Sequence, residues 1–430
     1  MKIAIWHNLP SGGGKRALND HVRGLLGRGH HLEAWCPPTA DQTYLPLNTL
    51  IPEHIVKMRS HERSSRNPVA RLINLYRLTA SKLKALDEHC RRCAEQINQG
   101  GFDLLFANST MHYAVAPVAR YINIPTMLYL QEPYRYLYEA SPVSAWAAPY
   151  LPKGAWHSAH HIRDWLFDFF AVQWLRVQVR EEYLSAKVFD MILVNSFFSR
   201  ESLLRAYGLD SRVCYLGVDT QRFVYQKLPR QQYVIGIGVI VPNKNIKFVI
   251  EALSYIPEPR PRLVWIGNAV DSSHLDELNN LARKKQITFE VHQQISDDEL
   301  VELLNRAAMM AYAPRLEPFG YAPLEANACG TPVVAVAEGG IRETVKDGLN
   351  GLLVENDASM MALAIEQLMK DHERARKLGE NGVQWVAEKW SMEAATDRLE
   401  KRFVQLLNAA PYRQKTLTLD KNDYWKSWVN

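Results

Sequence analysis

The chain has 430 residues, 47% hydrophobic and 23% charged, and 51 basic against 46 acidic side chains give a formal net charge of +5. That much apolar surface offsets the entropy of chain ordering, which excludes a disordered or collagen-like polymer, and the length suits two large domains or three smaller ones. The small basic surplus has no solid cationic block with interleaved aromatics, so there is no nucleic-acid footprint; five cysteines make no disulfide framework and read as a reduced, cytoplasmic chain.

The first predicted strand, Ile3–Trp6, is too short for a secretory h-region and lacks a cleavage site. Gly12-Gly13-Gly14 turns into a helix that runs through Leu25-Leu26, and Leu32–Cys36 is a second strand, stopped by Pro37-Pro38. Asp103–Ala107, Thr126–Leu130 and Met191–Asn195 complete this half. A second series follows a polar stretch, Tyr207 to Gln231, where the hinge is placed. It comprises strand Tyr233–Val239, helix Ile246–Tyr255, strand Leu263–Ile266 and helix Asp297–Ala307, opened by Ser296 with Glu299 three residues on. Strands Met309–Ala313 and Val333–Val336 then flank a short helix ending at Gly330. This alternation predicts parallel sheets with crossover helices, in two doubly wound domains facing a cleft, with ligand at the carboxyl ends of the strands. No run of 18 uncharged apolar residues occurs, and no repeat or low-complexity tract.

Two stretches break the rhythm. Lys57 to Arg92 carries ten cations with Leu72, Leu75, Leu78 and Leu83 between them. It reads as an amphipathic helix with a solvated basic face, the alternative being a contact for anionic lipid headgroups or an anionic acceptor. Trp156 to Val179, rich in Trp165, Phe169, Phe170, Trp174 and Leu175, is expected to pack in a core rather than dip into a membrane.

The chemistry concentrates in Arg315-Leu316-Glu317-Pro318-Phe319-Gly320-Tyr321-Ala322-Pro323-Leu324-Glu325. The strand before it delivers Glu317 to its carboxyl end. Phe319 to Ala322 turn into a helix with Pro323 suited to its first position. Free N–H groups at that helix start favour an anion, Gly320 lets a phosphate approach the backbone, and Glu325 one turn on can reach neutral hydroxyls. A sugar-phosphate ligand suits this arrangement.

Glu317 and Glu325, with seven residues between, resemble the paired-glutamate signature of retaining glycosyltransferases of family 4, closest in motif to mannosyltransferase-like members. Pro318-Phe319-Gly320, Ala328-Cys329-Gly330-Thr331-Pro332, Glu338-Gly339-Gly340, Glu343-Thr344-Val345 and Asp347-Gly348-Leu349-Asn350-Gly351 continue the match. Val194-Asn195-Ser196, Gly217-Val218-Asp219, Val241-Pro242-Asn243-Lys244-Asn245 and Gly12-Gly13-Gly14 extend it over nearly the whole chain, most weakly between about residues 40 and 100. The resemblance implies an α/β fold of the GT-B type, two doubly wound Rossmann-like domains facing a central cleft. It places an acceptor-binding domain at 1–208, a nucleotide-sugar-binding domain at 209–391, a helix at about 392–409 packing back on the first domain, and a tail at 410–430.

By position in the family pattern, Glu317 contacts the donor sugar's hydroxyls, Glu325 binds the ribose hydroxyls, Leu324 is a further donor-binding residue, and the N–H groups of Gly320, Tyr321 and Ala322 hold the diphosphate. Lys244 neutralises the leaving group, and Gly13 and Gly14 close over the same phosphates. Leu130-Gln131-Glu132-Pro133-Tyr134-Arg135-Tyr136 is similar to the His-Thr-Pro-x-Arg-Tyr stretch of mannosyltransferase-like members, with Gln131 at the histidine position and Glu132 and Arg135 as sugar or acceptor contacts. Many relatives carry Arg where this chain has Val239, leaving Arg315 or Lys15 to partner Lys244. The implied function is retaining transfer of a hexose, mannose-type on GDP favoured, to a glycan or lipid-linked acceptor of a polysaccharide or glycolipid, with no cofactor and no metal. A non-catalytic sugar-nucleotide-binding subunit of a glycan assembly complex and a glycosyl phosphorylase on the same fold are the alternatives. The setting expected is cytoplasmic, with peripheral contact at the inner face of the membrane and a homo-oligomer left open. The tail, with Tyr424, Trp425 and Trp428, is expected to pack on something. Cys90-x-x-Cys93 has no second pair at finger spacing, His157 and His161 lack an intervening Glu, and Gly236-Ile237-Gly238 lacks the third glycine of a dinucleotide fingerprint.

Overall fold

A computed structural model describes residues 1–58, 68–110, 113–140, 144–148, 158–268 and 271–409, without the side chains of 68–80 and 171. The expectations for Tyr424, Trp425, Trp428 and His157, and for the cations between 59 and 80, lie outside these residues. The chain divides into two compact units, one of Met1–Val194, Ser202–Arg212 and the chain from Glu400 on, the other of Asn195–Glu201 and Val213–Leu399.

The first unit is built on β1 (Lys2–Asn8), β2 (His31–Cys36), β3 (Glu53–Ile55), β4 (Leu104–Thr110), β5 (Thr126–Gln131), β6 (Met191–Val194) and β7 (Arg212–Val213), in the order β3-β2-β1-β4-β5-β6-β7. The pairs from β3 to β6 are parallel, with Ile3 opposite both Leu32 and Leu104. Ile3, Ala4, Ile5 and Trp6 are wholly buried, as a parallel strand covered on both faces requires. The short edge strand β3 carries no alternation in sequence and is legible only from its pairing. The crossovers are α1 (Gly13–Gly27), α2 (Pro68–Gln99), the single turn α3 (Arg135–Tyr138), α4 (Ala159–Ala186) and α5 (Phe197–Tyr207).

Helix α2 buries Leu86, Cys90, Cys93 and Ile97 on one face, while Lys84 and Arg91 stay out and pair with Glu88 and Glu95 one turn on. Over residues 81–99 it is thus an amphipathic helix with a solvated basic face. All five cysteines are buried free thiols. Helix α4 corrects an expectation. Its second half buries Leu175, Gln178 and Glu182, but its first three turns expose Ile162, Trp165, Leu166, Phe167 and Phe169. Core packing reaches only the second half of the helix. Glu182 there accepts from the Ala114 N–H at 3.0 Å, the Gln178 amide at 2.8 Å and the Tyr207 hydroxyl at 3.0 Å.

A polar cluster lies under α1, where β1, β2 and β3 bring His7, Cys36 and Glu53 within 4.8 Å of one another. His7 Nε2 stands 2.9 Å from Glu53 Oε1, Cys36 donates to the same oxygen at 3.6 Å, and Lys15 is buried beside them. Burial lowers the pKa of His7 and of Lys15 and pushes the Cys36 thiol up to about 12. Burial alone would raise Glu53, but the His7 hydrogen bond and the charge of Lys15 outweigh it and hold the carboxylate ionised. One carboxylate and one ammonium balance the charge of the cluster.

The second unit carries β8 (Gln231–Ile237), β9 (Arg262–Ile266), β10 (Phe289–His292), β11 (Ala307–Tyr312), β12 (Val333–Val336) and β13 (Gly351–Val354), all parallel, in the order β10-β9-β8-β11-β12-β13. Strand β8 ends at Ile237, two residues before the predicted end. Its helices are α6 (Ile246–Ser254), α7 (Ser272–Lys285), α8 (Asp297–Arg306), α9 (Tyr321–Ala328), α10 (Ile341–Thr344), α11 (Ala358–Lys370) and α12 (His372–Trp385). Ser296 caps α8 by accepting from the Glu299 N–H, as its sequence predicts. Asn327 and Asn350 are buried and bonded amide to amide at 2.8 Å. Asn327 also donates to the carbonyls of Thr331 and Asn350, so the end of α9 is locked to the turns beside β12 and β13.

The last helix, α13 (Met392–Asn408), begins in the second unit and finishes in the first. Within the first unit Phe403 is fully buried and packs edge-on against Phe106, ring centroids 5.3 Å apart, and Glu400 pairs with Arg28 and His30 at 2.7 and 2.8 Å.

Phe403→Ala is expected to cost about 3–5 kcal/mol in chemical denaturation of the first unit; a loss under about 1 kcal/mol would show that the end of α13 is not part of that core. The His7 cluster predicts acid sensitivity. Below about pH 6.5 the unfolded chain protonates its histidine while folded His7 stays neutral, so the unfolded state binds more protons and stability falls with pH. Glu53, held below its ordinary value, acts in the same direction further down, its contribution being lost as pH falls through the folded pKa. Denaturation midpoints measured between pH 7 and 5 should therefore fall for the wild type, and the slope should flatten in His7→Gln.

Candidate functional site

In the second unit, β11 runs out at Tyr312 and the chain passes through Arg315, Leu316 and Glu317 before α9 begins. Lys244 lies in the turn between β8 and α6, and its Nζ stands 2.8 Å from Glu317 Oε2, both side chains mostly buried at 17% and 20% exposure. The two turns touch through the backbone as well, the Arg315 N–H donating to the Asn243 carbonyl at 3.2 Å. Each ionic residue adjoins a strained one. Asn245, after Lys244, has φ 55°, and Leu316, before Glu317, has φ 49°. The left-handed region is tolerable for asparagine and costly for leucine, on the order of 1–3 kcal/mol.

Helix α9 starts at Tyr321 with Gly320 as its N-cap at φ 87°, and no side chain caps it. The conformation favours glycine, and a Cβ at this position would come within 2.3 Å of Ile341 Cδ1. Pro323 is therefore the third helical residue and not the first, a position where its missing N–H still costs no hydrogen bond. Ala322 and Leu324 are buried and Glu325 is 3% exposed in the next turn. The structure thus brings Lys244, Glu317, Gly320, Tyr321, Ala322, Leu324 and Glu325 onto adjoining segments beyond the carboxyl ends of the neighbouring strands β8 and β11. Loop Glu338-Gly339-Gly340 closes over Glu317, with the Gly340 N–H donating to the Glu317 carbonyl at 2.8 Å. Val239 is 38% exposed just past β8.

In the first unit, Gly12 is the N-cap of α1, with no side-chain cap, and Gly13 and Gly14 open the helix. Gln131 ends β5 at φ 65°, and its Nε2 is buried without a hydrogen-bond partner, 3.2 Å from where a side chain on Gly14 would begin. An unpaired amide N–H held against a glycine turn is a donor awaiting an acceptor. Arg135 is held by Glu132 at 2.8 Å and Glu139 at 3.5 Å. The substitutes expected for the missing arginine are both committed elsewhere. Lys15 is buried over Glu53 and Cys36, turned into the core by the glycine turn before it, and Arg315 pairs with Glu338 at 2.8 Å. Glu338 and the His7–Glu53 pair were missed in sequence. Only the spacing of Glu338-Gly339-Gly340 after Glu317 hinted at the first, and nothing at the second.

Two family profiles match the chain almost end to end, Glycosyltransferase Family 4 over residues 11–222 and Glycosyl transferases group 1 over residues 217–385. Among curated relatives, an alpha-maltose-1-phosphate synthase of Mycolicibacterium smegmatis is 28% identical over 273 residues, 55% of this chain and 68% of its own length. A human alpha-1,3/1,6-mannosyltransferase is 27% identical over 254 residues, 53% of this chain and 61% of the relative. A GDP-mannose-dependent phosphatidylinositol monomannoside mannosyltransferase of M. smegmatis is 29% identical over 235 residues, 49% of this chain and 61% of the relative. The chain spans between 26% and 68% of the length of the first curated relatives it matches. Sucrose-phosphate synthase from Thermosynechococcus elongatus superposes with a TM-score of 0.68 at 20% identity, covering 95% of this chain and all of that one. Anabaena HepE, crystallised with UDP, does so at 0.64 and 17% identity, covering 94% and 100%. The doubly wound sheets and these neighbours establish the GT-B architecture, and the two contiguous profiles establish that the chain belongs to the family 4 glycosyltransferases.

Proposed function

We propose that the protein is a retaining hexosyltransferase that moves a mannose-type sugar from a guanosine diphosphate donor to a glycan or lipid-linked acceptor. The observation that carries the reading is the Lys244–Glu317 ion pair at 2.8 Å beside the uncapped start of α9, with Glu325 buried one turn further on. The bias to mannose is supported by two mannosyltransferase relatives, one of them GDP-mannose-dependent, and by the Gln131–Tyr136 segment.

In this reading the N–H groups of Gly320, Tyr321 and Ala322 bind the diphosphate. Glu325 accepts from ribose hydroxyls and Glu317 from hydroxyls of the donor sugar. The bond from the anomeric carbon to the diphosphate oxygen breaks as the bond to the acceptor oxygen forms on the same face. The departing diphosphate oxygen takes the acceptor's proton. Lys244 and the helix dipole neutralise the charge that builds there, so the reading needs no metal and no cofactor. Glu317 is neither nucleophile nor general base.

The exposed front of α4 supports a peripheral membrane contact. Ile162, Trp165, Leu166 and Phe169 share one helical face, and the exposed cations Arg163, Arg176 and Arg180 would meet anionic headgroups. No helix among the described residues is long and apolar enough to cross a membrane.

Nucleoside diphosphate release from a panel of GDP- and UDP-sugars tests the transfer reading. One donor should be slowly hydrolysed, and Glu317→Ala should lower that rate by roughly 10²-fold or more. Donor binding without release, even with crude glycolipid acceptors added, would favour a non-catalytic binding subunit, a reading that the exposed Val239 in place of a cation already supports. For the membrane contact, Trp165→Asp with Phe169→Asp should cut co-sedimentation with phosphatidylglycerol vesicles at least tenfold, whereas unchanged co-sedimentation would remove it.

A further inference from the structure

We propose that Glu338 is a positioning residue that holds Glu317 in place through a strained turn, an inference that rests on the transferase reading of this site. Leu316 is a leucine at φ 49°, a conformation its branched side chain resists, so the backbone would relax if nothing held it. What holds it is one carboxylate oxygen. Glu338 Oε2 accepts from Arg315 Nε at 2.8 Å and from the Leu316 N–H at 3.4 Å, clasping the residues on both sides of the Arg315–Leu316 peptide. The carboxylate is mostly buried at 20% exposure, while Arg315 is half exposed at 51%. The guanidinium therefore neutralises Glu338 from the solvent side and does not itself enter the site.

The loop that carries Glu338 is shaped to stay there. Gly339 and Gly340 lie so close to the Glu317 turn that a Cβ on the first would sit 2.3 Å from the Glu317 carbonyl oxygen and one on the second 2.1 Å from that of Pro318. The Gly340 N–H donates to the Glu317 carbonyl at 2.8 Å, and on the opposite side the Arg315 N–H donates to Asn243, next to Lys244. The turn is thus fixed at Arg315, at Leu316 and at Glu317, and the Glu317 carboxylate is delivered to within 2.8 Å of Lys244 Nζ. Removing the Glu338 carboxylate releases the strained link of the three, and Glu317 then samples positions away from the ammonium. A shift of an ångström at such a group is costly to rate and cheap to substrate affinity.

The test uses the full chain and two readouts. In Glu338→Ala, hydrogen exchange at the Leu316 and Glu317 amides should speed at least tenfold. In the same variant kcat for release of nucleoside diphosphate from the hydrolysed donor should drop tenfold or more, with KM for that donor within about twofold. Glu338→Gln, which keeps an acceptor oxygen, should recover part of the rate. Adding Leu316→Gly to Glu338→Ala should recover part of it as well, because glycine adopts the left-handed conformation unaided; a role confined to stability would yield no such rescue. Unchanged amide exchange, or unchanged kcat in Glu338→Ala, would overturn the proposal. Should the wild type release no nucleoside diphosphate from any donor, the transferase reading fails by itself, and the exchange measurement alone decides whether Glu338 holds the turn.

Discussion

The second unit depends on two turns being forced together at the carboxyl ends of the central strands β8 and β11. An ammonium and a carboxylate 2.8 Å apart attract over any flexible route, but an exposed pair held only by that attraction contributes little and wanders. Here the backbone does the holding. The Arg315 N–H ties one turn to the other at Asn243, Asn245 and Leu316 accept left-handed backbone beside the two ionic residues, and the Glu338-Gly339-Gly340 loop closes over the top. Strain of this kind persists only where the surroundings over-determine it, and it marks the segment where geometry matters more than stability. The Asn327–Asn350 lock further along α9 serves the same end, because it fixes the helix that follows the Glu317 turn.

The first unit solves a different problem with similar means. Gln131 turns its chain at φ 65° and leaves an unpaired amide against Gly14, while beneath α1 the His7, Cys36, Glu53 and Lys15 cluster buries charge in near balance. Burying a carboxylate is costly unless a partner charge and hydrogen bonds offset it, and Lys15 with His7 supplies both. The same placement removes Lys15 from any role at the surface of its glycine turn. With Arg315 bound to Glu338, Lys244 is left facing Glu317.

The assignment to family 4 rests on profiles that run through both units, whereas the proposed sugar rests on two relatives and the Gln131–Tyr136 segment. Fold neighbours as different as a sucrose-phosphate synthase and a UDP-bound Anabaena protein share this architecture. Architecture therefore says little about substrate.

The sequence by itself determined the alternation of parallel strands and crossover helices, because buried strands must be apolar runs and helix starts must carry caps such as Ser296. It also brought Glu317, Glu325, Gly320 and Lys244 forward as candidates, through the resemblance of their segments to the family's motifs rather than through any local periodicity. Tertiary structure alone decided the rest. Strand β3 is three residues long with no periodicity of its own, and it exists because β2 offers it a ladder. The aromatic run in α4 reads as core by composition, yet only the second half of the helix finds one. Glu338 clasps Leu316 across 22 positions, and His7 meets Glu53 across 46. Contacts of that range leave no local pattern, because the chain between them is free to vary while the two ends are fixed only by the sheets that carry them.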